Sequence, residues 1–143
     1  MLRHAYVILT ALAIGLPILA ADEKTELKAL AGRYDVVKVE VDGKDLTESF
    51  KTVTLAIDGD KYTAIVGQTT DKGTLAVDGT KSPKTMDITG TEGPNRGMTF
   101  PCIFEIKDDV FTVCYGLDFK TRPKEMTTAE KSNRMIIVYK RKK

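Results

Sequence analysis

Along most of this chain, large apolar side chains fall at every second position. Thr52-Val53-Thr54-Leu55-Ala56-Ile57 puts Val53, Leu55 and Ile57 on one side and smaller or polar residues on the other. That is the period of a half-buried strand. Residues 62–66, 74–77, 86–89, 102–106, 110–115 and 135–139 read the same way, and residues 34–41 supply an opening strand, making eight. Asp42-Gly43, Asp58-Gly59 and Asp78-Gly79 stand between strands as tight-turn signals. Only residues 25–31 and 46–50 look helical, and neither stretch can carry a crossover between parallel strands.

The strands are therefore expected to be antiparallel neighbours. An up-and-down barrel is favoured over a sandwich because closure removes edges that nothing else in the chain would cover. The expected inward set is Val53, Leu55, Ile57, Leu75, Val77, Ile88, Phe104, Phe111 and Ile137. An eight-stranded barrel holds side chains or one small ligand, and strands this short with side chains this bulky are candidates for filling it themselves.

The two cysteines test the register. With Asp108-Asp109 as the hairpin loop, Ile106 faces Phe111, Phe104 faces Val113 and Cys102 faces Tyr115. Cys114 then lies on the other side with Ile103. A one-residue slip or a three-residue loop would instead set Cys102 opposite Cys114 and permit a disulfide. The first register sorts apolar from polar better, so two free thiols are expected.

Two longer links interrupt the alternation. Residues 90–97 carry Gly90, Gly93, Pro94, Arg96 and Gly97. Residues 116–133 hold Leu117, Phe119, Arg122-Pro123 and Met126, and this link is expected to cover one mouth of the barrel by burying Phe119.

The start of the chain changes how the rest is read. Met1-Leu2-Arg3-His4 is basic, residues 5–19 are mostly apolar, and Ala20 and Ala21 are small. This is the pattern of an export signal. The apolar run falls short of the ~20 residues that a membrane span needs. Cleavage after Ala20 or Ala21 is expected, giving a signal segment at 1–21 and one domain at 22–143, soluble, secreted or periplasmic, with no membrane span and monomeric.

Cleavage would remove Arg3 and the sole histidine, His4, leaving a near balance of charge from the 22 Lys and Arg and 20 Asp and Glu of the full chain. Nothing in that balance recommends nucleic acid as a partner. The basic end, Lys140-Arg141-Lys142-Lys143, reads as a solvated tail that discourages edge pairing.

Catalytic chemistry finds few candidates. Without histidine there is no Ser-His or Cys-His pair and no usual transition-metal ligand. Asp58-Gly59-Asp60 lacks the remaining ligands of a calcium loop. Asp108-Asp109 at a hairpin tip is expected to point into water. The glycine-rich link lacks the Gly-Lys-Ser/Thr of a phosphate cradle. No cofactor and no catalytic or metal site is expected.

Several stretches together resemble one family: Leu30-Ala31-Gly32-Arg33-Tyr34, Asp42-Gly43-Lys44, Lys72-Gly73-Thr74-Leu75, residues 81–88, Ile103-Phe104-Glu105-Ile106, Val113-Cys114-Tyr115 and Arg122-Pro123. They are similar to the small secreted lipocalin-like domain found in many copies in planctomycete bacteria, which has no assigned activity. The resemblance implies a lipocalin-like barrel and no substrate. Gly32-x-Tyr34 is similar to the Gly-x-Trp of lipocalins, whose aromatic closes the barrel floor.

The functional expectation is a non-catalytic binding domain for a small apolar or amphipathic ligand. Tyr34, Phe104, Phe111 and Tyr115 would be its apolar walls and Arg122 an anion anchor reaching toward a mouth near residues 116–133. The alternative is a filled barrel that serves as an interaction module for another envelope protein. In that case the aromatics are core filling and Arg122 bonds loop carbonyls.

Overall fold

The computed structural model describes residues 18–143. The expected export segment therefore lies outside the described residues, apart from its last few positions. Helix α1 (Ile18–Leu30) begins well before the short turn expected at residues 25–31. Alanine, leucine, glutamate and lysine dominate it, all strong helix formers. Glu26 and Leu30 are buried and Leu27 packs against the core. Gly32, at φ +142°, then swings the chain into the first strand.

The strands are β1 (Gly32–Val41), β2 (Lys44–Asp45), β3 (Thr54–Asp58), β4 (Lys61–Val66), β5 (Thr69–Asp78), β6 (Lys84–Glu92), β7 (Thr99–Lys107), β8 (Val110–Gly116) and β9 (Arg134–Arg141). β2 is a two-residue addition paired to β1. The other eight pair antiparallel in chain order, and β9 pairs back onto β1, closing an eight-stranded barrel of lipocalin-like shape. A short helix, α2 (Thr47–Phe50), follows β2. Thr47 holds it in place by bonding Asp45 and the Val39 backbone.

Every residue of the expected inward set is buried. The hairpin at Asp108-Asp109 has the expected register, with Cys102 facing Tyr115 and Phe104 facing Val113. Both aspartates have positive φ, 51° and 64°, as a two-residue turn of matching twist requires. Cys102 and Cys114 are free and buried on opposite faces of the wall.

Four expectations need correction. β5, β6 and β7 run further than the apolar alternation indicated: the outer ends of β5 and β6 are rich in threonine, lysine and glycine and β7 starts with Thr99-Phe100-Pro101, while the backbone ladder continues. Asp109 does not simply face water: it ion-pairs with Arg141 at 3.0 Å. The basic end is solvated only in part: Lys140, Lys142 and Lys143 are exposed, but Lys140 and Arg141 belong to strand β9 and Lys142 pairs with Asp35 at 3.0 Å. Closure leaves those residues no edge to guard.

The fourth correction concerns residues 116–133. Phe119 remains 45 % exposed, so it does not plug the mouth. Past it, the segment runs over the outer wall. Arg122 bonds the Met86 and Cys102 carbonyls, and the Thr127 carbonyl accepts from the Cys114 thiol. Ile103 and Cys114, which an open barrel face would leave wet, are 1 % and 0 % exposed.

Candidate functional site

The barrel has two unlike ends. At one, Tyr34 is fully buried and its hydroxyl donates to the Leu30 carbonyl at 2.7 Å, joining β1 to α1. Phe111 stacks on Tyr139 at 5.6 Å between centroids, and Tyr34 and Phe104 each meet Phe111 at an angle. Arg141 lies over the Tyr34 ring, donates to its hydroxyl at 2.9 Å and to the Ala29 carbonyl, and pairs with Asp109. A delocalised cation on an aromatic face ties β9, β1, the β7–β8 turn and α1 into a closed floor.

The other end holds a cavity of ≈ 230 Å³. Its inner wall is the buried set Val53, Leu55, Ile57, Leu75, Met86, Ile88, Phe111 and Ile137. Its outer wall is Phe50, Ala64, Val66, Phe100, Leu117 and Met135. Val66 is 46 % exposed, so the cavity reaches the surface beside it. Met98 and Phe119 are also exposed, and Phe119 meets Phe100 at a tilt, 4.8 Å between centroids.

Polar atoms enter the lining only from Tyr62, Asp71, Asn95, Tyr115 and Tyr139. Burial pushes the phenols of Tyr62 and Tyr115 far up and that of Tyr139 to about 12, so all three hold their protons well into the alkaline range. Tyr115 and Tyr139 face each other closely enough that each affects the other's phenol. Tyr62 donates to Asp71 Oδ2 at 3.2 Å and Asn95 Nδ2 donates to the same oxygen at 3.0 Å.

Two glycines make this polar corner possible. A Cβ on Gly73 would stand 2.6 Å from the Tyr62 ring, so only glycine lets that ring lie across β5 toward Asp71. A Cβ on Gly90 would stand 2.1 Å from the Asn95 carbonyl, so the link carrying Asn95 packs against bare backbone.

Of the residues expected to form the site, Phe111 and Tyr115 line the cavity. Tyr34 and Phe104 belong to the packed floor. Arg122 stands apart: its guanidinium serves the Met86 and Cys102 carbonyls and pairs with Asp87 at 2.6 Å. Burial pushes the Cys102 thiol well above its usual range and raises that of Cys114, which leaves both poor nucleophiles.

Asp71 and Asn95 escaped the sequence reading. Carrying the alternation of Leu75 and Val77 two steps back through Gly73 reaches Asp71, so an inward carboxylate was there to be found. Among the described residues no cluster of three His, Cys, Asp or Glu side chains is placed to hold a metal, and no helix is long and apolar enough to cross a membrane. Comparison with protein families, curated proteins and solved structures finds no match to this chain.

Proposed function

We propose that this chain is an exported, non-catalytic binding module whose barrel takes up one small, largely apolar ligand through the end lined by Phe50, Val66, Phe100 and Leu117. The observation that carries the reading is the cavity itself, apolar around most of its wall and reaching the surface in a barrel closed at its other end. Pockets for drug-sized molecules run from about 300 to 1,000 Å³, so its ≈ 230 Å³ suits something smaller. Export is supported by the basic start, apolar run and small-residue exit of residues 1–21. Membership in the planctomycete lipocalin-like group is supported by the motifs quoted above and by the barrel's shape.

The wall offers protonated phenols and a carboxylate bonded to Tyr62 and Asn95, with no nucleophile beside a base among the lining residues. Binding is the chemistry these groups serve most directly. The test is titration of a small, neutral, environment-sensitive apolar fluorophore, indole, into wild type and Ala64→Phe; the chain has no tryptophan to mask its emission. Ala64 is a small cavity-wall residue, and a phenyl ring there occupies the space. Saturable one-to-one binding to wild type, lost in a folded Ala64→Phe, is expected. Equal binding by both proteins would place the probe on the outer surface and favour the interaction module, for which exposed Ile65, Met98 and Phe119 offer an apolar face.

A further inference from the structure

Asp71 and Glu26 are the two buried acidic residues among the described residues, and their surroundings differ. Glu26, 7 % exposed, is neutralised by Lys84 at 2.6 Å. Asp71, 8 % exposed, has no lysine or arginine within ion-pair distance among the described residues. Its Oδ2 accepts from Tyr62 and Asn95, while its Oδ1 is buried without a hydrogen-bond partner. A buried carboxylate left without a counter-charge is costly, and folds keep such groups paired or bound to something that completes them. This one stands in the wall of the cavity.

We infer that Asp71 receives the cationic head of the ligand, so that the cavity selects small amines carrying an apolar body. This rests on the binding function proposed above and names the ligand class for the same cavity. An ammonium brings the missing charge together with N–H donors for the unpartnered Oδ1, and bonds between ionised groups are shorter and stronger than neutral ones. Tyr62 and Asn95 fix the acceptor from the protein side, one from β4 and one from the β6–β7 link. Phe100, Tyr115 and Tyr139 add aromatic and phenolic surface to the same cavity, where a cation is also favoured. A ligand carboxylate would meet Asp71 as a like charge, and an alcohol would supply a donor without the charge.

Three probes of one shape separate these outcomes: 2-phenylethylamine, 2-phenylethanol and 3-phenylpropionate, titrated calorimetrically into the full chain and into Asp71→Asn. Wild type is expected to bind the amine about ten-fold or more tighter than the alcohol, the value of one charge-assisted bond, and the propionate weakest. Asp71→Asn should bring amine and alcohol level while leaving the alcohol's affinity in place. Equal affinities for amine and alcohol in wild type would overturn the inference without recourse to the variant, should Asp71→Asn fail to fold. So would an amine preference that survives in Asp71→Asn. Failure of all three probes where the apolar fluorophore still binds would also refute the amine class while leaving the cavity reading intact. Failure of the fluorophore as well would remove the cavity reading itself.

Discussion

The two ends of the barrel are built from the same kind of strand and do opposite things. At the floor, four aromatic rings and Leu30 are packed under α1, and Arg141 bonds three separate segments. At the mouth, the side chains lining the same staves include Ala64, Asp71 and the half-buried Phe100, Leu117 and Met135. Interior volume in a barrel of fixed strand number is shared out by side-chain size. Large rings at one end and small or polar groups at the other leave a filled half and an open half. Packing is thereby concentrated in the floor, and the mouth keeps open space.

The sharpest way to break this comparison is to truncate each end. Phe104→Ala, at a residue 1 % exposed in the floor, is expected to cost about 3–5 kcal/mol. Leu117→Ala at the half-buried mouth should cost about 1 kcal/mol. Urea denaturation reads both, and equal losses would mean that stability is spread evenly along the barrel.

Arg141→Ala comes next in size. It removes the charge-assisted bonds that hold α1 and β9 to Tyr34 and should cost about 2 kcal/mol. Arg122→Ala tests a cation of the outer wall instead. It should loosen residues 116–133, measured by faster amide exchange there, and leave affinity for the apolar probe in place. A loss of probe affinity would return Arg122 to the cavity.

Alkaline pH offers a third handle. The folded-state pKa of Tyr139 is raised by burial from 10.0 to about 12, and those of Tyr62 and Tyr115 are raised too. A raised pKa means that the folded state holds its proton longer than the unfolded chain. Stability from these phenols is therefore complete below pH ~10 and is lost as pH rises through ~12. The denaturation midpoint should fall steeply across that window. Tyr139→Phe should make the fall shallower, and an unchanged slope would show that Tyr139 is open to water. The smallest effect belongs to Phe119→Ser on the exposed rim, expected within about 0.5 kcal/mol of wild type.

The apolar interior was far more legible in the sequence than the polar corner and rim of the mouth. Val53, Leu55, Ile57 and Leu75 of the cavity's inner wall, Phe104 of the floor and Phe111 between the two announce themselves by strict alternation, and Asp108-Asp109 sets the β7–β8 register by its tolerance of positive φ. Hydrophobic pattern is the signal of burial against other side chains, and the interior is where side chains bury one another. At the corner and rim the inward residues face open space, so they need not be apolar. Thr69-Thr70-Asp71-Lys72 reads as loop although it is strand, and Asn95 is placed by a link whose path depends on the bare backbone at Gly90. The route of residues 116–133 was equally hidden. Phe119 looked like a plug, but Arg122 found carbonyls on the outer wall and drew the segment down that side.

The division into a packed half and an open half is tested most directly by a crystal pressurised with xenon, which enters apolar cavities and no others. The account predicts xenon density bounded by Leu55, Ile88 and Ile137, and none among Leu30, Tyr34 and Phe104 at the floor. Xenon at the floor, or no xenon anywhere in the barrel, would contradict it.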